Sequence, residues 1–124
     1  MEKPRKKVLV IDDEAEILES MRESFEAEGY EACTAIDGVS GFALAQKFKP
    51  DMIFLDVSMP RMNGFQFLDK LSSDPEINKT PVVMISGFGD TDNIFKAQSS
   101  RYVRDFVIKP FQVIDLIDLM RRHG

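Results

Sequence analysis

Short apolar runs alternate with segments of helical period along this chain, and this alternation constrains the fold more than any other feature. The run Met52-Ile53-Phe54-Leu55 shows no polar alternation, which indicates a strand buried on both faces. Apolar residues in the intervening segments recur every three or four positions, as in a helix with one buried face. Strands and helices in strict alternation are typical of βαβ units, so the pattern predicts a parallel α/β domain.

We predict five strands, five helices and one domain. The 124 residues and 44% hydrophobic content suit a single core, which we place at about 8–121 within a domain spanning 1–124. Right-handed crossovers put helices on both faces of the sheet. The predicted strands are 8–11, 30–35, 52–55, 82–85 and 106–108. The first predicted helix lies between Asp13 and Gly29, and the second ends at Pro50. The other three predicted helices are 65–71, 90–100 and 113–121.

Composition argues against several classes of protein. The net charge of −5 disfavours nucleic acid as a direct partner of this domain. No apolar stretch approaches the ~20 residues of a membrane span. The basic N-terminus is not followed by a secretory signal, because Asp12 interrupts the first apolar run. Cys33 is the sole cysteine and cannot form an intrachain disulfide, which fits a cytoplasmic location.

Polar side chains stand at the ends of four predicted strands. Asp12 and Asp13 follow the first strand, Asp56 the third, Ser86 the fourth and Lys109 the fifth. The carboxyl ends of parallel strands share one edge of the sheet, where ligands bind in a crevice. We therefore expect these five side chains to gather in one pocket although the sequence scatters them.

The three aspartates require a compensating cation. At a separation of ~4 Å and an effective dielectric near 20, two carboxylates repel by roughly 4 kcal/mol. Asp12-Asp13-Glu14 offers only oxygen ligands, which select a hard ion such as Mg²⁺. A carboxylate beside Mg²⁺ and Lys109 can act as a nucleophile toward phosphorus. Ser86 could donate a hydrogen bond to a phosphoryl oxygen.

Four groups of residues together resemble the receiver domain of two-component response regulators. They are Asp12-Asp13, the string Asp56-Val57-Ser58-Met59-Pro60-Arg61-Met62-Asn63-Gly64, the pair Ser86-Gly87, and Lys109-Pro110-Phe111. The resemblance implies a doubly wound, flavodoxin-like fold with a five-stranded parallel sheet in the order 2-1-3-4-5. It also implies a cis bond between Lys109 and Pro110.

The resemblance implies a role for each site residue. Asp56 is the phosphoacceptor, which takes a phosphoryl group from the histidine of a sensor kinase or phosphotransfer protein. Lys109 and Ser86 are its catalytic partners, and Ser86 is also a switch residue together with the aromatic ring of Phe106. The ligands of Mg²⁺ are the side chains of Asp12, Asp13 and Asp56 and the backbone carbonyl of Ser58.

A receiver of this kind catalyses only its own phosphorylation and dephosphorylation. Phosphorylation is expected to change the surface formed by the fourth helix, the fifth strand and the last helix, at about 90–121. A downstream protein or an output domain missing from this chain would read that surface. Tyr102 and Val103 stand where the family usually has Gly-Ala, and Phe106 replaces the tyrosine of many members. These departures affect the output face rather than the phosphorylation site.

Three alternatives remain open at this point. An aspartate-based phosphatase usually carries a second acid two residues after its nucleophile, but Ser58 stands there. A flavin-binding module is disfavoured because Asp12-Asp13-Glu14 repels phosphate unless a metal intervenes. A receiver-like interaction module that is never phosphorylated is disfavoured by the intact aspartates and Lys109.

Overall fold

The structure is a computed structural model that describes residues 5–57, 59, 62–87 and 103–123. Its strands are β1 (Lys7–Ile11), β2 (Glu31–Ala35), β3 (Met52–Asp56), β4 (Val82–Ser86) and β5 (Val103–Ile108). Its helices are α1 (Ala15–Ala27), α2 (Gly38–Phe48), α3 (Gly64–Ser72) and a C-terminal helix (Val113–His123). The helix predicted at 90–100, together with Ser58 and Tyr102, lies outside the described residues.

The five strands form one parallel sheet in the order β2-β1-β3-β4-β5, which confirms the expected fold. β1 lies between β2 and β3, and Leu9 pairs with Cys33 on one side and with Ile53 on the other. β3 is buried along its whole length, as the absence of polar alternation at residues 52–55 predicts, and β4 is buried along its whole length as well.

Alternate residues of the central strands enter two separate cores. Leu9 and Ile11 of β1 pack into the core beneath α2 and α3, which we call the α2/α3-side core. Val8 and Val10 pack into the α1-side core, which α1 and the C-terminal helix cover. This division follows from the two-residue period of a strand. Each fully buried aliphatic or aromatic side chain contributes about 1.5–3 kcal/mol, so both faces of the sheet stabilise the fold.

Local signals set the helix ends. α1 is followed by Gly29, whose positive φ of 92° suits a residue without a Cβ atom. The Asp37 side chain caps α2 by accepting a hydrogen bond from the Ser40 backbone N–H at 2.8 Å. Asn63 and Gln66 form a reciprocal capping box at the start of α3.

β5 begins three residues before the predicted strand. Val103 pairs with Val82, but a register shift follows, so that Val83 pairs with Asp105. The shift is a β-bulge that accommodates Arg104 as an extra residue. Val103 itself packs against the α2/α3-side core. The cis bond expected between Lys109 and Pro110 is present. Among the described residues, none of the helices combines the length and apolar character that a membrane crossing requires.

Candidate functional site

The carboxyl edge of the sheet carries the predicted polar residues. Asp12 directly follows β1, and its backbone N–H donates to the Ala35 carbonyl at 3.1 Å. Asp56 and Ser86 are the last residues of β3 and β4. Lys109 directly follows β5, and its backbone N–H donates to the Ser86 carbonyl at 2.7 Å. The strand ends therefore position these side chains through regular backbone hydrogen bonds.

Three aspartates meet at this edge. One carboxylate oxygen from each of Asp12, Asp13 and Asp56 lies within 4.8 Å of the other two. Asp12 and Asp56 are buried, whereas Asp13 is exposed, so the cluster opens to solvent on the side of Asp13. The sequence predicted that these residues would come together, and the structure brings them together.

The carboxylate of Asp12 has one well-satisfied oxygen and one poorly satisfied oxygen. Its Oδ1 accepts a hydrogen bond from the Glu14 backbone N–H at 2.9 Å. Its Oδ2 is buried and makes no hydrogen bond of good geometry within the described part of the chain, although Lys109 Nζ lies 3.2 Å away. Burial is the largest influence and raises the pKa of Asp12, against the lowering effects of the Glu14 N–H and of Lys109.

Lys109 supplies the positive charge of the site. Its Nζ lies 3.2 Å from Asp12 Oδ2, 3.2 Å from Glu14 Oε1 and 3.4 Å from Asp56 Oδ2. Burial by itself lowers the pKa of Lys109, but attraction by Asp56 and Asp12 outweighs burial and holds that pKa well above its ordinary value. Lys109 is therefore a cation throughout the physiological range.

Glu14 is a contact of Lys109 that the sequence did not predict. The sequence identified Glu14 as an oxygen donor beside Asp12 and Asp13, without a partner. In the structure its carboxylate turns toward Lys109, which lies 95 positions further along the chain.

Ser86 and Phe106 lie on the neighbouring strands β4 and β5. Ser86 is buried, and its Oγ lies 3.5 Å from the Gly87 carbonyl, at the outer limit of a hydrogen bond. This weak contact leaves the hydroxyl ready to turn toward another acceptor. Phe106 is partly buried and packs against the α2/α3-side core, opposite Met84 in the strand register.

The segment that follows Asp56 is held in place by close packing against the start of α3. The Gly64 backbone N–H donates to the Val57 carbonyl at 2.9 Å. A Cβ atom at Gly64 would lie 3.0 Å from both the Asp56 carbonyl oxygen and the Val57 Cα. A side chain at this position would push the start of α3 and the end of β3 apart. Ser58, the expected carbonyl ligand in this loop, lies outside the described residues.

The donor set fits a hard divalent cation. All three side chains of the cluster offer carboxylate oxygens, and within the described residues the buried Asp12 Oδ2 makes no hydrogen bond that a metal ion would have to displace. Asp12, Asp13 and Asp56 are the residues that would hold the ion.

A groove of about 540 Å³ opens beside the cluster. The first turns of α1 form one wall, with Ile17 and Met21 among its apolar residues. Lys109, Pro110 and Phe111 also line the groove. The groove thus joins an apolar surface to the charged site.

The family model for the response regulator receiver domain matches residues 8–121. The chain therefore belongs to the receiver domain family of two-component response regulators, as its motifs and strand order indicate.

Individual proteins similar to this chain are also response regulators. The response regulator PleD of Caulobacter vibrioides is 37% identical over 116 residues, which are 93% of this chain and 25% of PleD. RpaA of Synechocystis, a DNA-binding dual master transcriptional regulator, is 31% identical over 115 residues, 93% of this chain and 47% of RpaA. The chain thus spans about half or less of the length of these relatives. The chemotaxis response regulator CheY4 of Vibrio cholerae superposes with a TM-score of 0.88 at 29% identity, covering 98% of this chain and 100% of that one.

Proposed function

We propose that this receiver domain accepts a phosphoryl group on Asp56 in a Mg²⁺-dependent reaction and thereby switches a protein-binding surface. One observation carries the proposal: the Asp56 carboxylate is buried at the end of β3 beside a cation, Lys109, and two further aspartates. Such a carboxylate is placed for nucleophilic attack rather than for surface solvation.

The proposed reaction transfers one phosphoryl group. A bond forms between an Asp56 carboxylate oxygen and phosphorus, and the bond from phosphorus to the donor histidine nitrogen breaks. The electron pair of the broken bond stays on the imidazole nitrogen, which takes a proton from water. Lys109 offers an ammonium to the transferred group, and Ser86 offers a hydroxyl. Positioning and charge neutralisation supply most of the rate enhancement in phosphoryl transfer.

Mg²⁺, when bound by Asp12, Asp13 and Asp56, would supply neutralisation of the phosphoryl oxygens. The protein residues perform the remaining tasks. The Glu14 N–H fixes Asp12 through Oδ1, and the close approach of Gly64 holds the Asp56 carbonyl in place. The low exposure of Asp56 limits the access of water to the reactive carboxylate.

The same residues support self-catalysis rather than turnover of a separate substrate. Ser58 stands where an aspartate-based phosphatase would carry its second acid, so no carboxylate at that position can protonate a leaving group. A receiver-like module that is never phosphorylated is the second candidate function. The buried Asp12–Lys109–Asp56 arrangement favours phosphorylation over that candidate, because a pure binding module gains nothing from burying these charges.

The proposed partners follow from the reaction. The phosphodonor is a sensor histidine kinase or a phosphotransfer protein, and the apolar groove beside Lys109 offers it a docking surface next to the site. The downstream partner is a separate protein or an output domain in the same polypeptide. RpaA and PleD are about two to four times longer than the matched region, which shows that relatives join this domain to further sequence. A cytoplasmic location stays a prediction.

Incubation with acetyl phosphate and Mg²⁺, followed by intact-mass measurement, tests the proposal. The wild-type chain should gain the mass of one phosphoryl group, and it should gain none when a chelator removes Mg²⁺. Asp56→Asn keeps the shape of the side chain but removes the nucleophile, so it should not be labelled. An unlabelled wild type, or equal labelling of the variant, would contradict the assignment of Asp56.

A further inference from the structure

We propose that Glu14 is a positioning residue that holds the Lys109 ammonium before phosphorylation and yields it to the incoming phosphoryl group, an inference that rests on the proposed function of Asp56. Lys109 Nζ is as close to Glu14 Oε1 as to Asp12 Oδ2, at 3.2 Å, and slightly farther from Asp56 Oδ2, at 3.4 Å. An ammonium has three N–H donors. Three carboxylates surround it, so an incoming phosphoryl oxygen must replace one of them to accept a hydrogen bond from Lys109.

Of the three carboxylates, Glu14 can break its contact with Lys109 at the smallest cost in free energy. The side chains of Asp12 and Asp56 are 0% and 6% exposed, and each is fixed at a strand end, whereas the Glu14 side chain is 55% exposed. A carboxylate that returns to water regains its hydration, but a buried one cannot. Exchange at Lys109 therefore replaces Glu14, whereas Asp12 keeps its contact and Asp56 carries the phosphoryl group itself.

Glu14 does not perform the capping role that its position would suggest. It is the N-cap residue of α1, yet its side chain makes no capping hydrogen bond. The Oδ1 atom of Asp12 accepts the bond from the Glu14 backbone N–H instead. The Glu14 carboxylate is thus directed by Lys109 rather than by the helix it precedes.

Removing the Glu14 charge should change the affinity for Mg²⁺ and the affinity for a phosphoryl mimic in opposite directions. Without Glu14, Lys109 would bind Asp12 and Asp56 more closely and compete with Mg²⁺, so metal affinity should fall. The same change weakens the contact that holds one Lys109 N–H donor and removes a charge that repels an anionic phosphodonor, so affinity for a phosphoryl mimic should rise. A residue with a purely structural role would weaken both.

The experiment compares wild type, Glu14→Gln and the matched control Glu16→Gln. Glu16 lies in the first turn of the same helix, and the ion pairs of Lys109 among the described residues are with Asp12, Glu14 and Asp56 instead. Calorimetry gives the Mg²⁺ affinity, and amide chemical shifts titrated with beryllofluoride at saturating Mg²⁺ give the affinity for the mimic. For Glu14→Gln we expect about a two- to fivefold weaker Mg²⁺ affinity and about a two- to fivefold tighter mimic affinity, the size of a partly exposed ion pair. Glu16→Gln should change neither by as much.

Glu14→Asp separates the contact from the charge. It keeps the negative charge but withdraws the carboxylate from Lys109 by one methylene, so both affinities should change in the same directions as in Glu14→Gln, but by less. Unchanged affinities in Glu14→Gln, changes of the same sign, equal changes in Glu16→Gln, or wild-type behaviour of Glu14→Asp would each overturn the role of Glu14. A wild-type chain that acetyl phosphate does not label would instead overturn the proposed function, and the Mg²⁺ titration would still report on the contact.

Discussion

Asp12 carries a negative charge at a position where burial opposes that charge. It is 0% exposed, and burial raises its pKa. The folded state therefore binds the Asp12 proton more tightly than the unfolded chain does. Ionised Asp12 lowers the free energy of unfolding at every pH above its folded pKa. This destabilisation disappears as the pH falls from the pKa of Asp12 in the folded state to 3.8, the ordinary pKa of an aspartate.

Asp12→Asn should stabilise the metal-free protein. The asparagine Oδ1 can still accept the bond from the Glu14 N–H, and Lys109 retains Asp56 and Glu14 as partners. In chelator at pH 7 we expect the free energy of unfolding, measured by urea denaturation, to rise by about 0.5–2 kcal/mol.

Two controls accompany this measurement. The difference between Asp12→Asn and wild type should shrink as the pH is lowered toward 3.8, because wild-type Asp12 is then protonated. Saturating Mg²⁺ should stabilise the wild type by RT ln(1 + [L]/Kd) and should stabilise the variant less. A variant less stable than wild type in chelator would show that the Asp12–Lys109 attraction outweighs the burial of Asp12.

The residues of the site differ in how far the sequence could predict them. Asp12, Asp56, Ser86 and Lys109 each end an apolar run, so the sheet geometry alone predicts their meeting. The contact of Glu14 with Lys109 could not be predicted, because the direction of an exposed glutamate is set by a neighbour that is distant in sequence. The weak hydrogen bond of Ser86 is equally a matter of tertiary detail.

At the scale of the elements, α3 meets the end of β3 through Gly64. A Cβ atom there would lie 2.9 Å from the Met84 Cε and 3.0 Å from the backbone of Asp56 and Val57. The methionine methyl can move aside, but the backbone atoms cannot move without displacing the strand end. The geometry of Asp56 thus depends on the entry of α3.

Gly64→Ala should impair both the fold and the site. We expect a loss of about 1–3 kcal/mol in the free energy of unfolding, as for other overpacked positions, and slower labelling of Asp56 by acetyl phosphate. Gly29→Ala is the matched control. Gly29 has a φ of 92°, and a Cβ atom added there would have no neighbour within 4 Å, so its cost is conformational strain alone. Gly29→Ala should lose stability yet label at the wild-type rate. If folded Gly64→Ala were labelled at the wild-type rate, the geometry of Asp56 would not depend on the close approach of α3.

Element boundaries show where sequence patterns stop being informative. β1, β3 and β4 begin and end within about one residue of their apolar runs, because these strands are buried on both faces. β5 begins earlier than its apolar run because it is an edge strand, in which Val103 and the half-buried Asp105 pair with β4 on either side of the exposed Arg104. The bulge at Arg104 leaves no periodic signal at all.

At the scale of the whole molecule, β5 connects the site to both cores. Phe106 packs against the α2/α3-side core, and the next residue, Val107, packs against the α1-side core. The C-terminal helix covers the α1-side core with Leu116 and Ile117. Strand alternation predicts such a two-core molecule, but it does not predict the strand order, since several orders satisfy the same pattern. The resemblance of the motifs to the receiver family is what implies the order.

Phosphorylation should change the conformation of β5 and the C-terminal helix. Ser86 and Lys109 are joined by a backbone hydrogen bond of 2.7 Å, so a movement of Ser86 toward a phosphoryl group acts directly on the end of β5. We expect the ring of Phe106 to enter the vacated space, because it has no hydroxyl and loses no hydrogen bond when it is buried. The inward ring should be populated even without phosphate, and phosphorylation should shift that equilibrium.

Backbone amide chemical shifts with and without beryllofluoride, at saturating Mg²⁺, measure this response. We expect changes across β5 and the C-terminal helix, and in the residues from 90 that the sequence predicts as a helix. Phe106→Tyr provides the matched control, because its hydroxyl needs a hydrogen-bond partner when the ring is inside. The inward population before beryllofluoride should be smaller in Phe106→Tyr than in wild type, and the change on adding the mimic should be correspondingly larger. Shifts confined to residues that line the site, with none between 103 and 123 beyond Lys109, would show that the signal does not travel through β5.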